Sequence, residues 1–488
     1  MAQRAEARPK MLDTGVPNLD LVLGGGLQQH NSYLIVGPSG SGKSVLTQQI
    51  AFHRAKQGDR VLLVTGLDQP HRNLLEHFAT LSFADTRLVG PQIETVSLVP
   101  FLDRPVAEKI DVLRRTVLNA RPRLVLLEGL RSLAATSGSQ PAVYQFLYGL
   151  TSWFAVEGIT LLLTRDTGPQ GEVDEAEYSL VDGVLLLRRD MANAHTLRQL
   201  WVWKMRGQQP LPGLHSFGID ADGITVWPRP QATFSPADLP ESQERLATGV
   251  PGLDSMLEGG LPAATSTLLA GDPGAGKTIL ALAYLASGVR SGRPGLWVGF
   301  RESRSRLMAT ARQLGHDLAE AESRGLLQFM LLPPFELDPG RLASILQSRL
   351  AGMGGGRFVL DAAELLAGAL PGRDAARAFL AWLLQYAPQQ GVTAVITQQM
   401  ARIAGPGFSL AGTPEATLAD NVIILRQFRQ EQRLRRALAV VKMSSPAYDT
   451  TIRELNLDRH GISVGEPLST QEGQPVPRAS AEPALGPV

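Results

Sequence analysis

The stretch TGVPNLDLVLGGGL, residues 14–27, returns as TGVPGLDSMLEGGL at residues 248–261, an offset of 234. Shortly after each copy, at the same offset, come GPSGSGKS (Gly37–Ser44) and GDPGAGKT (Gly271–Thr278). Further pairs follow in the same order. RLVLLEGL from Arg123 answers RFVLDAAEL from Arg357, and LVDGVLLLR from Leu180 answers LADNVIILR from Leu418. WKMRG from Trp203 answers VKMSS from Val441, and DGITVW near Gly223 answers HGISVG near Gly461. So many matches in one order make the chain a tandem repeat of one domain, not a chance echo.

The 488 residues exceed one ordinary core, in keeping with two domains. The first is expected at about 11–228 and the second at about 244–464. Pro228, Pro230, Pro236 and Pro240 stiffen a linker at about 229–243. Residues 1–10 are polar without the apolar run of a secretory signal. Both this segment and the tail from Gly465, rich in Pro, Ser, Gln and Glu, are expected to be disordered.

Inside each half, YLIVG, RVLLVTG, RLVLLEG, ITLLLT and GVLLLR are apolar throughout rather than alternating. Such strands are covered by helices on both faces. The fold class is therefore α/β, with a mostly parallel sheet in each domain. The strands around Leu197–Trp203 and Leu434–Val441 read as an antiparallel hairpin appended to that sheet. Net charge is +1, which disfavours nucleic acid or a membrane surface as an electrostatic partner. No apolar run reaches the ~20 residues that span a bilayer. The absence of cysteine removes disulfides, thiolate chemistry and Cys-ligated metals, and fits a cytoplasmic location.

GxxxxGK[ST] between an apolar strand and a helix is a phosphate-binding loop. The helices expected here are Val45–Lys56 and Ile279–Gly288. Glycines let the backbone N–H groups close around phosphate, and the helix start adds partial positive charge. The nucleotide-binding residues are Gly37, Pro38, Ser39, Gly40, Ser41, Gly42, Lys43 and Ser44 in domain one. In domain two they are Gly271, Asp272, Pro273, Gly274, Ala275, Gly276, Lys277 and Thr278. The lysines reach the β- and γ-phosphates of ATP, and Ser44 and Thr278 offer hydroxyls to Mg²⁺. A strand-end carboxylate completes the metal site: Asp361 in domain two and Glu128, one methylene longer, in domain one. Either acid could instead cap the next helix. Asp68 and Glu302, after the second strand, are the candidates for activating water, or else are loop acids or helix caps. Only seven lysines stand against forty arginines, and Lys204 and Lys442 occupy matching places late in each repeat.

These motifs, with RESR from Arg301 and KMRG from Lys204, resemble the KaiC family of tandem RecA-like P-loop ATPases over residues 14–464. The resemblance implies a homo-hexamer with ATP between neighbouring subunits and a signalling or clock-type role. Regulatory proteins would act on the ring. It implies that Lys204, Arg206 and Lys442 contact ATP across the interface, with Ser444 standing where a second arginine would be. The family's two adjacent acids after the second strand are here Leu67-Asp68 and Arg301-Glu302, so slow turnover is expected. Its autophosphorylated Ser-Thr pair falls on Ala416 and Thr417, leaving Thr417 as a possible serine/threonine autokinase acceptor. Two other readings stay open: a nucleotide-switched scaffold with little hydrolysis, and a RecA-like motor on nucleic acid. The loops Arg131–Pro141 and Ala367–Asp374 carry little charge and no stacking residue for the motor.

Overall fold

The computed structural model describes residues 10–65, 76, 78–101, 104–129, 140–167, 175–192, 195–235, 243–333, 337–370, 373–400, 414–430, 432–458 and 461–468. Asp68, residues 236–242 of the expected linker, the N-terminal segment before Lys10 and the tail beyond Leu468 lie outside the described residues. The chain divides into two compact units, Met1–Thr233 with Asp338–Ser344, and Phe234–Leu337 with Ile345–Val488.

In the first domain the main strands are β1 (Ser32–Gly37), β2 (Val61–Thr65), β3 (Ile93–Ser97), β4 (Leu124–Glu128) and β5 (Thr160–Asp166). They continue with β6 (Gly183–Ala192), β7 (His195–Met205), β8 (Leu214–Asp220) and β9 (Gly223–Trp227). The long helices are α1 (Lys43–Lys56), α2 (Val106–Ala120) and α3 (Gln140–Val156). The sheet order is β9-β8-β7-β6-β1-β5-β4-β2-β3. β6, β1, β5, β4, β2 and β3 run parallel. β7, β8 and β9 add on antiparallel. The expected hairpin is thus β6–β7, and a second hairpin, β8–β9, extends it to the sheet edge.

The second domain repeats this plan. Its strands are β10 (Ser266–Gly271), β11 (Gly295–Gly299), β12 (Leu327–Leu331), β13 (Arg357–Asp361), β14 (Thr393–Gln399), β15 (Asn421–Gln430), β16 (Arg433–Lys442), β17 (Arg453–Asp458) and β18 (Gly461–Pro467). The order β18-β17-β16-β15-β10-β14-β13-β11-β12 matches the first sheet strand for strand. The helix after the loop is α4 (Lys277–Arg290), followed by α5 (Arg304–Gln313), α6 (Pro339–Ala351) and α7 (Arg373–Gln389). Two nine-stranded α/β sheets of one topology are tandem RecA-like domains.

Burial follows from the apolar runs. Alternate residues of β1 face opposite sides, and both sides are covered. Tyr33 and Ile35 pack with Leu46, Ile50 and Phe52 of α1. Leu34 and Val36 pack with Leu113 and Val117 of α2 and Leu147, Leu150 and Phe154 of α3. In domain two Leu269 of β10 packs with Leu280 and Tyr284 of α4. Each phosphate-loop strand is therefore fixed from both faces, and its C-terminal end opens where the strand order reverses. In open α/β sheets that is the binding crevice.

Candidate functional site

Each loop leaves a buried strand on a glycine that tolerates no side chain. A Cβ on Gly37 would lie 2.5 Å from the Leu187 carbonyl oxygen, and one on Gly271 would strike the Leu425 carbonyl. Gly40 and Gly42 then take φ values of +73° and +103°, and Gly274 and Gly276 take +75° and +105°. These left-handed turns are open to glycine at no steric cost. Each helix starts on the lysine itself, two residues earlier than the sequence suggests. The Ser41 hydroxyl is buried without a hydrogen-bond partner among the described residues. A nearly closed ring of backbone at a helix start, with an unpartnered hydroxyl inside it, fits phosphate oxygens.

The two lysines are held alike by their loops. Lys43 Nζ donates to the carbonyls of Gly37 and Pro38, both at 2.9 Å. Lys277 Nζ donates to those of Gly271 and Asp272, also at 2.9 Å. Lys43 has a third partner, the Asp166 carboxylate at 2.6 Å. Burial lowers the Lys277 pKa, while Glu364, Asp361 and Asp272 oppose the shift and Arg301 adds to it.

The two strand-end acids expected at the metal take equivalent positions, since Glu128 aligns with Thr65 and Asp361 with Gly299 in the matching strand pairs. The arginines before them do not correspond. Arg357 begins β13 and is buried, whereas Arg123 precedes β4 and pairs with Asp59 at 2.8 Å. Asp361 accepts from Thr278 Oγ1 at 3.2 Å and from Thr397 Oγ1 at 2.6 Å. Glu128 accepts instead from Thr47 Oγ1 and Gln48 Nε2, both at 3.3 Å. Its extra methylene carries the carboxylate towards α1. Burial raises the pKa of both acids. Gln48, Thr47, Ser44 and Lys43 oppose the rise at Glu128, as Thr397, Thr278 and Arg301 do at Asp361, where Glu364 adds to it. One hydroxyl and one carboxylate per loop suit Mg²⁺, which keeps water and substrate phosphate as its other ligands.

The remaining candidates lie as follows. Glu302 ends no strand; its Oε1 faces Arg301 Nη2 at 3.3 Å and its Oε2 faces Arg306 Nε at 3.2 Å. Lys204 Nζ donates to the carbonyls of Tyr178 (2.9 Å), Ser179 (3.3 Å) and Val181 (2.7 Å), at the end of the helix Glu175–Ser179. Lys442 Nζ does the same for Ala416, Thr417 and Ala419 after the helix Pro414–Leu418. Both amines thus complete a helix C-terminus within their own domain, a favourable place for a cation. Arg206 is 59% exposed and meets Asp182 at 3.4 Å. Ser444 instead bonds Asn421 Oδ1. Thr417 is exposed. Sequence reasoning passed over Asp166 and Glu364, although each is a polar residue at or just beyond the end of an apolar strand. Among the described residues no helix is long and apolar enough to cross a membrane.

Comparison with known proteins agrees with this geometry. A family model described as "ATPase: KaiC" matches residues 12–231 and again 246–469. A circadian clock oscillator protein KaiC of Picosynechococcus is 24% identical over 473 residues, covering 94% of this chain and 90% of that protein. The circadian clock protein KaiC3 of Synechocystis is 24% identical over 477 residues, covering 95% and 93%. The KaiC of Prochlorococcus marinus is 23% identical over 473 residues, covering 94% of each. With two phosphate loops in two sheets of one topology, and a family match over both, the chain belongs to the KaiC ATPase family.

Proposed function

We propose that each chain binds two ATP molecules with Mg²⁺, one per phosphate loop, and hydrolyses them slowly as a nucleotide-driven regulator. The observation that carries this is the repeated group of loop lysine, loop hydroxyl and strand-end carboxylate, with Thr278 Oγ1 3.2 Å from Asp361 as its tightest form. Lys43 and Lys277 would hold the phosphates. Ser44 with Glu128, and Thr278 with Asp361, would hold the metal, which when bound neutralises phosphate charge. The similarity to clock proteins supports a signalling or clock-type role, protein partners and a homo-hexameric ring with sites between subunits. Within such a ring Arg206 is the best-placed trans cation, because it is exposed and only loosely paired. Lys204 and Lys442 would first have to leave their carbonyls. Thr417 is the acceptor proposed for autokinase activity.

A second reading, a nucleotide switch with little turnover, is favoured by the engagement of both Glu302 oxygens with arginine. One experiment separates them. The full chain is incubated with ATP and Mg²⁺ while phosphate release, intact mass and native mass are followed. Phosphate release supports the ATPase, and an added phosphoryl mass mapping to Thr417 supports the autokinase. Binding without either supports the switch. A monomer at saturating nucleotide sinks the inter-subunit site, and DNA-stimulated, salt-sensitive turnover would point to a motor instead.

A further inference from the structure

Near each phosphate loop stands a carboxylate that the repeat does not account for, on the loop lysine in domain one and at the adjoining strand end in domain two. In domain one it is Asp166, the last residue of β5, which pairs in register with Gly37, the first loop glycine. Its side chain is 48% exposed while that of Lys43 keeps only 8%, so the carboxylate opens to water at the loop mouth. In domain two the same register position, opposite Gly271, is Gln399. Glutamine carries no charge, yet the strand end still receives an acid. Glu364, in the short turn Ala363–Leu365 just after β13, places Oε2 3.0 Å from the backbone N–H of Gln399. Ala362 makes this possible by turning the chain with φ +66°, a left-handed value uncommon for alanine, with its N–H held by Thr397 Oγ1 at 2.8 Å.

Two different residues, from two different elements, therefore bring a carboxylate to the same strand end. The repeat does not explain this: the place of Asp166 is taken by Gln399 in domain two, and three residues after Glu128, where Glu364 follows Asp361, the sequence has Arg131. Function at the loop mouth does. The acid expected to activate water in domain two, Glu302, has both oxygens engaged by arginines. A lysine that holds β- and γ-phosphates must be close to the γ-phosphorus. In domain one a carboxylate that touches this lysine stands where it can meet a water approaching the γ-phosphorus, as a general base must.

We propose that Asp166 in domain one and Glu364 in domain two are the water-activating carboxylates of their ATP sites. The inference rests on the ATP reading above. When phosphate takes over Lys43, Asp166 is released from its ion pair and accepts a proton from a water beside the γ-phosphate. The water oxygen forms the new bond to γ-phosphorus. The bond from γ-phosphorus to the bridging oxygen breaks, and its electron pair leaves on ADP. The carboxylate then returns the proton to solvent. Glu364, held at the strand end by the Gln399 N–H, accepts the proton in domain two.

The test uses the full chain in two single-site backgrounds, Lys277→Ala to leave domain one and Lys43→Ala to leave domain two. Phosphate release and the affinity for a fluorescent ATP analogue are measured together. Asp166→Asn in the first background and Glu364→Gln in the second should each slow turnover on the order of 100-fold, with affinity changed by no more than about threefold. Asp166→Glu should recover part of the loss. Unchanged turnover, or faster turnover with tighter binding, would overturn the assignment, the second result marking the carboxylate as a competitor of phosphate for the lysine. A wild-type chain that binds ATP without releasing phosphate overturns it as well. Failure of the unmutated chain to bind the analogue would instead bring down the ATP reading itself. Melting curves of each variant separate a lost base from a lost fold.

Discussion

The two domains share the same main strands in the same order, yet several of the polar groups around the two phosphate loops differ. Both loops bend through the same left-handed glycines and give their lysine the same two carbonyls. Around that fixed frame, domain one has Glu128 turned to Thr47 and Gln48, Asp166 on the lysine and an exposed arginine at position 206. Domain two has Asp361 bonded to Thr278 and Thr397, Glu364 on the strand end and Ser444 folded onto Asn421. Backbone geometry shaped by buried strands and glycine resists change, because a Cβ on Gly37 or Gly271 meets backbone and one on Gly42 or Gly276 meets the core. The left-handed Gly40, Gly42, Gly274 and Gly276 would all be strained by any side chain. Side chains at the loop mouth face solvent or substrate and can be exchanged between elements, provided charge still arrives in the right place. The two phosphate loops of one chain are thus built on one scaffold but carry different surroundings.

The largest expected break in this comparison comes from the lysines. Lys43→Ala or Lys277→Ala should weaken nucleotide binding at its own site by about 3 kcal/mol, about 100-fold, and leave the other site unchanged. Titration of each variant with a fluorescent analogue should show one tight site where the parent shows two. Next come the loop glycines. Gly42→Ala would force a side chain at φ +103° to within 2.7 Å of Ile219 Cδ1, and Gly276→Ala at +105° to within 3.0 Å of Leu457 Cδ1. Each should cost about 1–3 kcal/mol in thermal unfolding, with Gly42→Ala the worse. Equal losses would mean that backbone strain alone dominates.

The metal acids give a smaller effect with a defined sign. Burial raises Glu128 and Asp361 above ordinary carboxylates. Between the ordinary and raised values the ligand-free fold holds more protons than the unfolded chain. Its stability therefore falls as pH rises through that window, while Mg²⁺–ATP, which needs the anions, binds better. Thermal shift with and without Mg²⁺–ATP across pH should show the two curves diverging upward in pH. Glu128→Gln should stabilise the ligand-free chain by about 1 kcal/mol at neutral pH and abolish the Mg²⁺ dependence in domain one only. Smallest of all is Arg206→Ala. The pair it breaks is exposed, so folding stability should change by less than about 1 kcal/mol. Nucleotide-dependent assembly, read by native mass, should weaken if the arginine acts on a neighbouring subunit.

The repeat, the sheets, the loops and the strand-end acids were legible in the sequence because each is a local pattern. GxxxxGK[ST] needs only consecutive residues, and an apolar run of five declares a buried strand whatever its neighbours are. The β8–β9 hairpin was less visible, since LHSFGID mixes polar and apolar residues at the sheet edge. Lys204 and Lys442, which the resemblance implies reach ATP across an interface, cap helices lying more than twenty residues away in sequence, an arrangement no local pattern announces.

The sequence by itself determined that there are two domains of one design, where each phosphate loop starts and which hydroxyl and acid accompany it. Only the tertiary structure decided which further charges reach the loops. Lys43 and Asp166 are 123 residues apart and meet because β1 and β5 are neighbours in the sheet. Glu364 reaches the matching place through a left-handed alanine and one backbone N–H on β14. Such encounters depend on strand order and side-chain length together, and neither is written in any single stretch of chain.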